Sequence, residues 1–332
     1  MYYHLNKEET NHFSIILTSK CNLNCSYCHF FSKHDRANAL DLPENLLDDY
    51  LNFIKYFNEH TISKNSVRFS GGDPIILGDK LFEIADKTYK ITNLKPFILT
   101  GGKGINKDWI NKAQKSHLTH AYISIENPLN PDIGAMNPYQ ILDLINTYSS
   151  DEFKLLPGVT VVRNEDFKDI FKISNIIYDA IGYLPCIQEI NYLPYKSPTD
   201  QELADLYENL YMVVKKYSPN NPINMFSYIS PEFSSVNNQK PSYLYELNLD
   251  NTHSIGKTSM DVAFKKILKF RELNYPKLNC KVTDCDWHDV CQNIKWLWKL
   301  SNTNVTSEEK LKDYCRFKKT INSAFYDALI NQ

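Results

Sequence analysis

The chain has 332 residues, 42% of them hydrophobic and 23% charged, which is the make-up of a folded protein too long for one minimal domain. Its 37 basic and 39 acidic residues leave a net charge of -2, which excludes a nucleic-acid or anionic-lipid partner gripped by bulk charge. No apolar run reaches the roughly 18 residues of a membrane span and the N-terminus has no apolar signal region. A cytoplasmic protein, with no membrane and no nucleic acid as partner, is therefore expected.

The first element in chain order is an apolar, β-branched run, Phe13–Leu17, of the length of a buried strand. A polar loop follows and carries Cys21-x3-Cys25-x2-Cys28. With 8 cysteines in the chain and no export signal, clustered thiols read as metal ligands rather than disulfides. Spacings this short let three thiolates close around one face of a cubane iron–sulfur cluster. No fourth ligand comes from the loop, so one iron stays open, and an open coordination position marks a reactive centre. Three cysteines of a zinc site are the alternative.

Directly after a first strand, and with Tyr27 before its last cysteine, this loop resembles that of the radical S-adenosylmethionine (radical SAM) superfamily. The resemblance implies a 4Fe–4S cluster on Cys21, Cys25 and Cys28 whose open iron chelates the amino and carboxylate groups of SAM. It implies an enzyme in which one-electron reduction splits SAM to methionine and a 5'-deoxyadenosyl radical, which takes a hydrogen from the substrate. An electron donor such as a flavodoxin or ferredoxin is implied with it.

Helical periodicity over Leu46–Phe57 leads to a second strand that ends in Ser70-Gly71-Gly72-Asp73-Pro74. Paired glycines there allow close backbone approach to a ligand. The tetrapeptide resembles the family's Gly-Gly-Glu-Pro motif with Asp73 in place of Glu, which implies a SAM-amine site at Gly71, Gly72, Asp73 and Pro74. An ordinary turn is the alternative. Apolar runs at Pro96–Thr100, Ala121–Ile125, Val159–Val162 and Ile187–Leu193 continue the series, with helical patterns at Lys80–Tyr89, Tyr139–Tyr148 and Phe167–Ile181 between them.

Six strands alternating with helices predict an α/β fold with a parallel sheet. The resemblance makes it a partial (β/α)6 TIM-type barrel, with active groups at the C-terminal strand ends. Residues 122–127 resemble a fourth-strand segment of related enzymes, which implies SAM contacts from Ser124 and Glu126. Asn164 or Arg163, ending the fifth strand, is a further contact to SAM or substrate, a plain strand-end hydrogen bond being the alternative. Asn191 and Tyr192 close the sixth strand without an assigned role. Cys186 begins that strand, about 10 Å or more below its active end at about 3.3 Å per residue, and reads as a small buried hydrophobe rather than a hydrogen donor.

Beyond Pro194 the character changes, and the boundary is expected there: residues 1–196 as the radical SAM barrel, 197–332 as a second domain. A helix over Asp200–Tyr217 precedes a Ser/Asn/Pro-rich loop from Ser218 to Pro241, a possible strand at Tyr243–Leu249 and a short helix at Val262–Phe270. Then comes Cys280-x4-Cys285-x5-Cys291-x23-Cys315. This resembles the SPASM domain, a small cysteine-rich α+β extension that holds auxiliary iron–sulfur clusters, with Leu247–Gly256 like its hairpin. The first gap is four rather than two, and Lys295 stands where that family has a cysteine. The resemblance thus implies one auxiliary 4Fe–4S cluster on Cys280, Cys285, Cys291 and Cys315, a structural zinc being the alternative.

SPASM-type enzymes mostly act on peptides, which implies a peptide or protein substrate: crosslinking, oxidation or epimerisation in a ribosomally made precursor. A small-molecule dehydrogenase or C–C bond-forming enzyme is the alternative, and a non-catalytic iron–sulfur or zinc module the reading from another class. Too few residues precede Phe13 for a leader-recognition domain, so the expected grip on a peptide comes from the barrel mouth, the 218–241 loop or a separate leader-binding protein.

Overall fold

The computed structural model describes residues 10–28, 38–62, 64–184, 186–189, 198–217, 242–247 and 308–330. Contacts divide the chain into two compact units, Met1–Thr160 with Lys240–Lys266 and Val161–Gln239 with Ile267–Gln332.

In the first unit, strands β1 (Thr10–Thr18), β2 (Lys64–Gly71), β3 (Phe97–Thr100), β4 (His120–Glu126) and β5 (Lys154–Val162) alternate with helices α1 (Glu44–His60), α2 (Asp79–Thr92), α3 (Lys107–Lys115) and α4 (Pro138–Tyr148). The sheet runs β5-β4-β3-β2-β1, and a later strand, β7 (Ser242–Leu247), adds to the free edge of β1. β1 pairs in parallel with β2 and β7, β2 with β3 and β3 with β4, with Phe13 opposite Val67, Arg68 opposite Phe97 and Ile98 opposite Ala121. This is the α/β, partial TIM-type barrel architecture expected of the sequence.

Alternation sorts the two faces of the sheet. Phe13, Ile15, Val67, Phe69, Ile98, Ala121, Ile123 and Ile125 are fully buried. Helix α1 covers this face with an i, i+3/i+4 stripe of Leu46, Leu47, Tyr50, Phe53, Ile54 and Phe57, its Phe57 ring set edge-on to Phe13 at 5.1 Å. The opposite face is polar and aromatic. His12 bonds Ser66 at 2.6 Å, Ser14 bonds Ser70 at 2.8 Å, and Phe97 stacks on His120 at 4.7 Å. Burial of His120 lowers its pKa, so the ring stays neutral at pH 7.

Several boundaries differ from the sequence reading. β1 begins at Thr10 because Thr10 and Asn11 pair with both β2 and β7. β5 begins at Lys154 and runs through Pro157 and Gly158. Helix α3 was not expected: its residues are mostly polar, and it is started by the Asn106 side chain, which accepts from Trp109 N at 3.0 Å.

The second unit contains a 3-10 turn (Asn164–Asp169), α5 (Ile170–Ile181), β6 (Cys186–Glu189), α6 (Asp200–Tyr217) and a C-terminal helix α7 (Glu308–Ile330). Phe317, Ile321, Ala324, Phe325 and Ala328 form the buried stripe of α7. Tyr207 of α6 donates to Asp327 at 2.5 Å, and Arg316 pairs with Asp200. Cys186 stands at the start of β6, as expected.

Candidate active site

The cysteine loop leaves the C-terminal end of β1 and is held at its base from two sides. On one side Gly72 N donates to Thr18 O and Asp73 N to Lys20 O, both at 2.8 Å. On the other, Ser19 N donates to Leu40 O at 2.8 Å, and Asp41 accepts from Thr18 Oγ1 at 2.7 Å and Lys20 Nζ at 2.8 Å. Burial alone would raise the Asp41 pKa, but those two donors outweigh it and hold the carboxyl below the usual range.

The glycines of the second strand end make room for protein backbone. A Cβ on Gly71 would lie 2.1 Å from Thr18 O, and one on Gly72 would lie 2.1 Å from Lys20 O. The close approach they permit is that of the cysteine loop's own backbone. Gly71 also has φ +133°, a conformation only glycine adopts without strain. Asp73 is buried and ties this strand end to the next: it accepts from Thr100 Oγ1 at 2.8 Å and from Ile75 N and Gly101 N at 3.2 Å each. Desolvation raises its pKa, and the three donors only partly oppose the shift. Pro74 is buried behind it, opening a short 3-10 turn.

Cys21, Cys25 and Cys28 are half-buried thiols on this one loop, and Cys28 N turns back onto Cys25 O at 3.3 Å. The Cys25 pKa is pushed up to about 12, first by burial and then by the negative potential of Glu126, Cys28, Asp132 and Cys21. Both other cysteines and the buried Glu126 therefore lie within electrostatic reach of Cys25. Among the described residues no three His, Cys, Asp or Glu side chains converge on a single point fit for one ion. A cubane has no such requirement, since its irons take one thiolate each at separate corners. The donor set, three thiols and no fourth from the loop, fits a cluster with one iron left open.

At the end of β4, Ser124 is exposed on the polar face, and Glu126 and Asn127 are buried. Tyr27 is half-buried beside Cys28. Asn164 belongs to the second unit, where it opens the 3-10 turn, and Arg163 N donates to Asp166 at 2.8 Å just before it. Cys315 lies within α7. Cys280, Cys285, Cys291, Asn191, Tyr192 and most of the Leu247–Gly256 segment lie outside the described residues; Leu247 itself ends a parallel strand on β1.

Two contacts on the loop were not anticipated. Asn24 N donates to Gly134 O at 2.7 Å, and Ser26 donates to Asp132 from both its backbone N and its hydroxyl. Nothing local in the segment Asn130-Pro131-Asp132-Ile133-Gly134 marks what it touches, some 106 residues away in the chain.

Residues 15–178 match the family model described as Radical SAM superfamily. GTP 3',8-cyclase of Clostridium botulinum is 23% identical over 328 residues, covering 95% of this chain and 84% of that protein. An uncharacterised protein of Methanocaldococcus jannaschii, MJ0907, is 25% identical over 209 residues, covering 55% of this chain and 69% of its own length. Among solved structures, anSMEcpe with bound AdoMet superposes with a TM-score of 0.70 at 16% identity, over 97% of this chain and 98% of that one. Streptococcus suis SuiB bound to S-adenosylmethionine gives a TM-score of 0.51 at 15% identity, over 85% of this chain and 72% of that one. The cysteine loop, the strand order and the matched family model together identify residues 15–178 as a radical SAM enzyme domain.

Proposed function

We propose that this chain cleaves SAM reductively at a cluster held by Cys21, Cys25 and Cys28, and takes hydrogen from a peptide or protein substrate. The observation that carries the first half is the anchoring of three neighbouring thiols on one loop against the glycine-ended strand β2. Bound there, a 4Fe–4S cluster with SAM supplies one-electron cleavage to methionine and a 5'-deoxyadenosyl radical, which takes the substrate hydrogen. The chain's own residues orient and shield. Carbonyls at Gly71 and Gly72 accept from the SAM ammonium, Asp73 holds that strand end in place, and Ser124 and Glu126 serve the nucleoside. Tyr27 packs beside the last thiol.

The peptide half is supported by likeness over nearly the whole chain to anSMEcpe, whose solved forms include one with bound AdoMet and the Cp18Cys peptide, at a TM-score of 0.66. A one-electron donor of the flavodoxin or ferredoxin kind, a separate leader-binding protein and a cytoplasmic setting complete the reading. Residues 197–332 form its SPASM-like part, with an auxiliary 4Fe–4S cluster on Cys280, Cys285, Cys291 and Cys315 acting as relay or support.

A second reading, hydrogen abstraction from a nucleotide, is favoured by the GTP 3',8-cyclase relatives. Iron-loaded enzyme given SAM, dithionite and either deuterated Cp18Cys peptide or deuterated GTP separates the two. Deuterium in 5'-deoxyadenosine from the peptide supports the proposal; deuterium from GTP alone overturns its peptide half.

A further inference from the structure

The turn between β4 and α4 touches the cysteine loop on both sides of its middle thiol. Asp132 Oδ1 accepts from Gly134 N at 2.8 Å, and Asp132 O accepts from Ala135 N at 3.1 Å, which closes the turn. The other carboxylate oxygen, Oδ2, accepts from Ser26 N at 3.2 Å and from Ser26 Oγ. Gly134 O accepts from Asn24 N at 2.7 Å and stands 4.0 Å from Cys25 Sγ. A Cβ on Gly134 would lie 1.8 Å from Asn24 O, so only glycine lets the two backbones meet. The residues before and after Cys25 are thereby both held by one turn.

That turn hangs from the end of β4. Asn127, buried, accepts from Leu129 N through its side chain at 2.9 Å and from Asn130 N through its carbonyl at 3.2 Å. The strand that ends in Ser124 and Glu126 is thus mechanically continuous with the clamp on Cys25. The clamp is also charged: the Asp132 carboxylate accepts from Ser26, the residue directly after Cys25, so its negative charge sits beside the middle thiol.

We propose that Asp132 is a positioning residue for the radical chemistry: with Gly134 it fixes the Cys25 thiol, and its charge makes the bound cluster harder to reduce. The geometric part is directional. Two hydrogen bonds to one carboxylate oxygen, together with a backbone bond two residues earlier, leave the Cys25 segment little freedom to swing away when iron is absent. The electrostatic part follows from sign alone: adding an electron beside a fixed negative charge costs more than adding it beside a neutral group. The proposal rests on the trio being the cluster site.

The test uses full-length protein loaded with iron and sulfide under anaerobic conditions. Iron is counted per chain, release to a chelator is timed, and reduction is followed by EPR at controlled potential with and without SAM. Asp132→Asn keeps an oxygen for Ser26 and loses the charge, so it is expected to hold iron and to reduce at a less negative potential than wild type. Asp132→Ala and Gly134→Ala are expected to load less than half the wild-type iron with unchanged circular dichroism. Ser26→Ala, on an exposed residue, keeps the charge and loses one bond, so iron leaves several-fold faster at an unchanged potential. Ile133→Ser, altering the fully exposed residue of the same turn, is expected to match wild type throughout. A wild-type potential in Asp132→Asn, or wild-type release in Ser26→Ala, overturns the corresponding half. Wild-type protein whose cluster signal ignores SAM contradicts instead the underlying assignment of the site.

Discussion

At the scale of single residues, the site depends on groups that cannot be enlarged or neutralised without consequence. Gly72→Ala puts a methyl group 2.1 Å from Lys20 O, and the backbone that carries the thiols must move. The variant is expected to keep its secondary structure and to lose more than half of its bound iron, as a colorimetric iron assay would show. Cys25 in iron-free protein is held as a thiol, so its alkylation at pH 8.5 is expected to be more than about tenfold slower than that of an ordinary cysteine. Glu126→Gln removes the largest of the neighbouring charges on it and should speed the reaction, read by mass spectrometry of the Cys25 peptide. Asp73 gives a pH signature of the same origin, burial. Its raised pKa means that, above the unfolded value of about 3.9, the native chain holds a proton the unfolded chain has lost. Stability therefore falls as pH rises from about 3.9 toward the raised value, and Asp73→Asn should flatten that part of a urea-midpoint curve. The loop of Cys21, Cys25 and Cys28 stands out in the sequence by its spacing, and the Gly-Gly pair by its place at a strand end. Asp132 and Gly134 do not, because their importance lies in contacts with Asn24 and Ser26 that no local pattern encodes.

At the scale of elements, hydrophobic period decided what could be read. Strands β1 to β4 are short β-branched runs with one fully buried face, and their alternation is plain in the sequence. Helix α1 declared itself by its apolar stripe, and Phe57→Ala, which empties a fully buried position against Phe13, is expected to cost about 3–5 kcal/mol in urea unfolding. Helix α3 escaped notice because only Trp109, Ile110 and Ala113 of its residues are buried, too few to set a period over so short a span. Helix α7 is obscured for another reason: its stripe of Phe317, Ile321, Ala324, Phe325 and Ala328 includes two small alanines and lies among many charged residues, so its apolar period is faint in the sequence. Strand β7 was visible as a strand, yet its partner was not, since pairing with β1 joins positions more than two hundred residues apart.

At the scale of the whole molecule, the order of strands places the cysteine loop, the Gly-Gly-Asp-Pro segment and the end of β4 at the C-terminal edge of one parallel sheet, where such folds gather their chemistry. Among the described residues no helix is long and apolar enough to cross a membrane. The account's central claim, that three thiols hold a cluster with an iron open to SAM, is tested most directly by product formation. Wild-type protein and a Cys21→Ala/Cys25→Ala/Cys28→Ala variant are incubated with SAM and dithionite after iron loading, and 5'-deoxyadenosine is measured by mass spectrometry. Wild type is expected to form it and the triple variant to form none; equal yields from the two, or no product from fully loaded wild type, would contradict the account.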